Sequence, residues 1–216
     1  MIVECLVSTQ SPGGELNVAP MGPRFDDHFD WRAPIGKRFL LSPFEPSRTL
    51  ANLQTTHAGV LNFTDNVLLF AQLALKGPSI QWPPCEPTEV IAGQRMIDAA
   101  RCWEFQVLAT SQAGPRWHCQ CEVVHVVEQR PMVLFNRAMH AVIEATILAT
   151  RIGILPDEQI RTQIASLAPL IEKTAGPEQR AAWNWVNHWV AQNLSQPSAT
   201  AAGATLTPSN SLEPRE

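Results

Sequence analysis

The sequence predicts an α+β chain in which a small antiparallel β-barrel precedes a C-terminal helical segment. Three observations predict it. Residues 1–22 hold two β-rich runs around a Pro12-Gly13-Gly14 turn. Residues 99–129 hold two longer runs around Ala113-Gly114-Pro115. From Asn136 onward the apolar spacing turns helical. Glycine accepts positive φ and proline presets the turn entry, so both run pairs are expected to be hairpins. About five to seven strands with short connections suit a barrel better than a parallel sheet.

The elements follow in order. Ile2, Val3, Cys5, Leu6 and Val7 make a β-rich run that ends in Ser8, Thr9 and Gln10; the return strand, Glu15 to Ala19, stops at Pro20, which cannot donate to a ladder and marks an end or an edge. Asp26 to Pro34 has no period and is expected as a surface loop. Lys37 to Pro43 is a third strand. Ser47 caps a helix whose Leu50 and Leu53 form an apolar edge. His57 to Phe63 is another strand, followed by a helix capped at Thr64 or Asp65 and running to Leu75. Residues 77–87 carry Pro78, Pro83, Pro84 and Pro87 and are expected as a loop. In the strand 116–129, Trp117, Cys119, Cys121 and Val123 share one face, with His118, Gln120, Glu122 and Val124 on the other.

The helical segment starts at Arg137 with a stretch to Ile152 that is apolar almost all round, hence buried. A second helix spans about 156–173. Pro177 is placed as the first residue of a third, in which Ala182, Trp185, Val186, Trp189 and Val190 form a core-facing stripe. The expected units are a barrel at 1–130, three helices at 131–194 packed on it, and a tail at 195–216. That tail is rich in Ser, Thr, Ala and Pro, cannot offset its ordering entropy, and is expected to be disordered.

Composition narrows the function. The chain has 216 residues, enough for one real core, and a formal charge of -4. With a pI near 5.9 it lacks the concentrated basic face of a nucleic-acid binder. No run is long enough for a membrane span, and Glu4 interrupts the apolar start that a signal peptide would need. Five cysteines, an odd number, make no disulfide framework and point to a reduced, cytoplasmic protein. Tyrosine is absent.

Several residues invite chemistry. The open N–H groups of the Ser47 helix, flanked by Ser47, Arg48 and Thr49, form an anion site, although a plain capped helix explains the same residues. His118, Cys119, Cys121 and His125 suggest zinc, with Cys119, Cys121 and His125 on one strand face. The spacing is wrong for a structural site, and buried core thiols fit better, so no metal is expected. His140 and Glu144 stand one turn apart on a helix, as a substrate-facing pair or an ordinary surface pair. Trp183, Trp185 and Trp189 suit a stacking platform or, more simply, core packing.

Taken together, the order hairpin–NVAPMG, strand, SRTLANL, strand GVLNFTDN resembles the FMN-binding split β-barrel group, which includes flavin reductases and pyridoxamine-phosphate-oxidase-like proteins. The closest resemblance is to a branch with C-terminal helices carrying a phrase like Phe135-Asn136-Arg137-Ala138 and a later Ile143-Glu144-Ala145, over residues 1 to 190. Members of that branch appear alongside methanopterin-linked one-carbon metabolism. The resemblance implies a split β-barrel homodimer with FMN at the subunit interface. It places Asn17, Val18, Ala19, Pro20 and Met21 along the isoalloxazine, Ser47, Arg48, Thr49 and Asn52 at the phosphate, and Asn62 and Thr64 at the ribityl chain. It implies an oxidoreductase acting on a small pterin-like or other heteroaromatic substrate, with the flavin supplying the hydride chemistry. No catalytic acid stands in these motifs and no GxGxxG unit holds a dinucleotide. Two alternatives stay open, a non-catalytic flavin- or pterin-binding protein and a ligand-free dimer whose helices bind a partner.

Overall fold

The structure is a computed structural model that describes residues 1–75, 81–132 and 136–194. Pro78, Phe135 and the tail at 195–216, all named above, lie outside the described residues. Among the described residues, eight strands and five helices follow one another as β1 (Cys5–Gln10), β2 (Leu16–Met21), β3 (Arg38–Leu41), α1 (Arg48–Thr56), β4 (Ala58–Phe63), α2 (Val67–Ala74), β5 (Cys85–Pro87), β6 (Gln94–Met96), β7 (Arg101–Ala113), β8 (Arg116–Glu128), α3 (Arg137–Ala149), α4 (Asp157–Thr174) and α5 (Pro177–Asn193). Six strands form one antiparallel sheet in the order β2-β1-β4-β7-β8-β3.

The two edges of that sheet meet at one point. Arg24, just beyond β2, bridges Ile2 on one side and Leu40 of β3 on the other. Its N–H donates to Leu40 O at 2.8 Å, and the Leu40 N–H returns a bond at 2.9 Å. Pro20 sits inside β2, opposite Leu6, and is tolerated because β2 is an edge strand. Inside the curved sheet lies an apolar core that includes Phe25, Leu41, Leu61, Trp103 and Phe105.

Cys119, Cys121 and Val123 face this core, as their alternation predicts. His125 does not continue that face. In the β7–β8 ladder Phe105 pairs with Val123 but Glu104 pairs with His125, so Val124 is an extra residue. Such a bulge reverses which side the following residues face. His125 instead meets Glu89, with Nε2 3.0 Å from its carboxylate. Among the described residues, no three His, Cys, Asp or Glu side chains converge to hold a metal.

Two local expectations need correction. The cap of α2 is Asn66, whose Oδ1 accepts from Leu69 N at 3.0 Å; Thr64 Oγ1 accepts the Asn66 N–H instead. The stretch 77–87 is not all loop, because β5 pairs with β6 in a separate two-stranded ribbon, aided by an Arg95–Glu86 ion pair at 3.0 Å. Both strands of such a ribbon are edges, so Pro87 costs it little.

The helices form their own core from Ala138, Val142, Ala145, Ile160, Val186 and others. The stripe of α5 is buried at Ala182, Val186 and Val190, with Trp183, Trp185 and Trp189 packed partly buried beside it. Pro177 opens α5, and the Gly176 N–H before it donates to Gln179 Oε1 at 3.0 Å. Helix α2 joins the two units: Val67, Ala71 and Leu75 belong to the helical core, while Phe70 and Leu73 pack with Leu6, Val18 and Val60 of the sheet. No helix among the described residues is long and apolar enough to cross a membrane.

Candidate functional site

The outer face of the sheet, the start of α1 and the flanks of α2 and α3 enclose an open cleft of about 760 Å³. Its floor is the Ala19-Pro20-Met21-Gly22 run at the end of β2. Ser47 and Thr49 at the start of α1 form one end. Helix α1 begins there because Ser47 has extended dihedrals (φ -148, ψ 149) and its Oγ accepts the Leu50 N–H at 3.2 Å. The remaining N–H groups of that first turn have no intrahelical acceptor, which gives this end of the cleft a positive potential. The helix ends at His57, whose positive φ of 52 and N–H bond to Leu53 O make it the C-cap.

Of the residues named from sequence, Ala19, Pro20, Met21, Ser47 and Thr49 come together on this cleft. Asn17 and Asn52 lie behind it. The Asn17 amide donates to Thr49 Oγ1 at 3.0 Å, and the Asn52 amide donates to Thr9 Oγ1 at 3.1 Å, so the two asparagines brace the α1 entry against β1 and β2. Val18 is fully buried, packed with Leu6, Phe70 and Leu73, and does not line the cleft. Arg48 is exposed beside the cleft, with no carboxylate at ion-pair distance among the described residues. Asn62 is fully buried; its amide donates to Leu6 O and Ser8 Oγ, and its carbonyl accepts the Met96 N–H at 2.9 Å. Thr64 is half-buried at the entry to α2. Neither Asn62 nor Thr64 lines the cleft.

The structure adds residues that no motif named. Arg116 on β8 and Arg24 after β2 bring guanidinium groups to the wall, and the His118 imidazole of β8 lies on it as well. Arg116 is held in place by a bond from its guanidinium to Ser42 O at 3.0 Å and by stacking 3.7 Å from the Phe44 ring centroid. Glu4 faces the same space. The opposite wall is mostly apolar and helical: Phe70 and Leu73 from α2, with Thr146, Ile147 and Thr150 from α3. The signal available was slight. Arg116 and His118 lie on the outward face of a strand whose inward face was correctly assigned, and a polar outward face is ordinary.

Two family models match the chain, the N-terminal domain of a protein of unknown function, DUF447, over residues 3–130 and its C-terminal part over 136–188. The chain belongs to the DUF447 family. No curated protein matches it by sequence. Among solved structures it is similar to the FMN-bound DUF447 protein MM1853 from Methanosarcina mazei, at 20% identity over 87% of this chain and 94% of that one, with a TM-score of 0.73. Weaker likenesses, both with a TM-score of 0.48, are to the 2-nitrobenzoate 2-nitroreductase NbaA of Pseudomonas fluorescens (19% identity, 58% of this chain and 64% of that one) and to an FMN-binding protein from Thermus thermophilus (16%, 59% and 71%). The likeness to MM1853 shows a shared α+β fold. In this DUF447 chain both matched segments contribute to one cleft, the N-terminal one through its floor and cationic wall, the C-terminal one through α3.

The thiols stay apart from this chemistry. All five cysteines are free, and burial raises the Cys85 and Cys119 pKa to about 11 and the Cys102 pKa to about 12. Thiols this weakly acidic are poor nucleophiles near neutral pH.

Proposed function

We propose that the cleft binds FMN, in a split β-barrel that works as a homodimer, and that the protein is an oxidoreductase acting on a small heteroaromatic, pterin-like molecule. The observation that carries this is the convergence of an extended Ala19–Met21 floor with a hydroxyl-lined helix N-terminus in one cleft. The residues fit the group. Ser47 and Thr49 hydroxyls and the first-turn N–H groups suit a phosphate, and Arg116 on the wall and Arg48 in the first turn of α1 supply charge-assisted partners. Ala19, Pro20 and Met21 offer a flat, weakly polar surface for an isoalloxazine ring. A volume of about 760 Å³ is within the range of cofactor sites.

In this reading Asn17, Asn52 and Thr9 position the phosphate end from behind, and Asn62 and Thr64 act only through the strands that carry them. The bridging pair at Arg24 supports the split barrel, which is closed at one point and open elsewhere. Exposed Ile2 and Phe44 on the cleft wall, 54% and 52% accessible, support coverage by a second copy. When bound, FMN supplies two-electron transfer, and the chain supplies position and exclusion of water.

The test is an absorbance spectrum of purified protein after FMN addition and gel filtration. Flavin bands that co-elute with a dimer are expected, and their bleaching by a reductant followed by recovery with a heteroaromatic acceptor identifies the oxidoreductase. A chain that emerges colourless refutes the assignment.

A further inference from the structure

Among the described residues Glu4 is the one carboxyl on the cleft wall, and the flavin reading assigns it no part in holding FMN. Its side chain passes close to Gly22, beside that of Ile2: a Cβ built there would sit 2.6 Å from Ile2 Cγ2, 3.2 Å from Glu4 Oε1 and 3.6 Å from the Glu4 carboxyl carbon. Glycine at position 22 therefore lets the carboxyl rest beside the Pro20–Met21 floor. Among the described residues Glu4 accepts no hydrogen bond and pairs with no cation, although Arg24, Arg116 and His118 line the same cleft. From the helical side the facing group is Glu144 of α3, with Arg151 next to it across a small groove. Packing of the carboxyl and then the Glu144 charge raise the Glu4 pKa above its ordinary value of 4.5. A carboxylate set against a neighbour of like charge gains when a donor group arrives.

We propose that Glu4 selects the substrate, its carboxylate accepting the N–H donor edge of a planar heteroaromatic ring that enters at the Gly22 end of the cleft, next to the flavin seat on Ala19–Met21. The inference rests on the flavin reading, because the ring occupies cleft space beside the bound cofactor. The ligand class is set by chemistry: a carboxylate needs adjacent N–H donors of the amidine or aminopyrimidine kind, and the apolar wall needs a flat ring.

The experiment uses FMN-loaded full-length protein and 2-aminobenzimidazole as the probe, with 2-naphthoate as a flat control lacking donors. Binding is read by perturbation of the flavin spectrum. Glu4→Gln is expected to bind FMN as the parent does and to hold the probe about 10- to 100-fold more weakly, while the naphthoate anion, relieved of a like charge, binds no more weakly. Probe affinity in the parent is expected to rise with pH through a midpoint above 4.5. In Glu144→Gln that midpoint moves down, and in Glu4→Gln it vanishes. A midpoint that survives in Glu4→Gln assigns the titration to another group, such as His118, and overturns the proposal. Equal probe affinity in parent and Glu4→Gln overturns it while leaving FMN binding intact. Loss of FMN affinity in Glu4→Gln puts the carboxyl on the flavin itself and also overturns it. A protein that takes up no FMN refutes both readings.

Discussion

Replacing Ser47 by aspartate separates the structural and the ligand-binding duties of the α1 N-terminus. Ser47 caps the helix through a 3.2 Å bond from Leu50 N and also lines the cleft. Aspartate is as good a cap as serine and its charge suits the helix dipole, so folding stability is expected to change by less than about 1 kcal/mol. The same charge faces the phosphate that the site is proposed to hold. Two unit charges about 4 Å apart at an effective dielectric near 20 repel by about 4 kcal/mol. That corresponds to roughly three decades in Kd, and screening at the cleft mouth leaves an expected loss of at least ~100-fold. Quenching of FMN fluorescence on titration with protein reads the affinity, and a thermal melt reads the fold. Riboflavin, which lacks the phosphate, is the control and is expected to bind Ser47→Asp as it binds the parent. Undiminished FMN affinity in Ser47→Asp, or equal losses for FMN and riboflavin, refutes placement of the phosphate at this helix.

Three further outcomes test other parts of the structure. In Gly59→Ala the new methyl falls 2.7 Å from Phe105 Cζ and 3.0 Å from the Ser8 carbonyl oxygen, inside the sheet core. Overpacking of this kind costs about 1–3 kcal/mol, or about 2–4 °C of Tm per kcal/mol at this chain length; an unchanged Tm contradicts the packing. Glu104 is fully buried and accepts the backbone N–H groups of Glu89, Val90 and Ile91 at 2.7, 2.8 and 3.0 Å. Glu104→Gln leaves one carboxamide oxygen for these donors, so amide exchange at 89–91 is expected to quicken while FMN affinity holds; protection equal to the parent's excludes that clamp. The thiols set an alkaline limit. Unfolded cysteines ionise near their ordinary 9.0, whereas folded Cys85 and Cys119 hold their protons to about 11. The folded state therefore binds more protons between those values, and stability falls as pH rises across the window; urea midpoints that stay flat from pH 9 to 11 rule this out.

What could be read from sequence divides along physical lines. Period-2 burial is local, so Cys119, Cys121 and Val123 were assignable to the core face, and the Ala113-Gly114-Pro115 turn fixed the β7–β8 hairpin. The bulge at Val124 is not local, since it exists only against Glu104 and Phe105 of the neighbouring strand, and it carried His125 off the expected face. Three-residue strands such as β5 and β6 are too short to show a period, and Pro87 argues against one. At the site, Ala19–Met21 and Ser47–Thr49 are contiguous motifs and were legible. Glu4, Arg24, Arg116 and His118 are spread over more than a hundred residues of chain and meet only when the sheet curves round at Arg24. The motif around Asn62 was legible as a feature, but full burial of its amide shows a brace between β4, β1 and the end of β6.

The C-terminal helices are part of the site's construction. Helix α2 is a wedge with two packed faces: Val67, Ala71 and Leu75 in the helical core, Phe70 and Leu73 in the sheet-side core. Its cleft-facing residues are therefore fixed only while α3 and α5 press on its other side. Helix α3 supplies the far wall directly through Thr146, Ile147 and Thr150, and Thr146 is itself locked by a bond to Val142 O. A chain cut after residue 130 would expose Val67, Ala71 and Leu75 and leave the Ala19–Met21 floor facing open solvent. An isoalloxazine on such a floor would lose the apolar contact that excludes water from one side of the ring. The helical segment therefore does for this cleft what a lid or second domain does elsewhere, and it does so through a permanent core shared across α2.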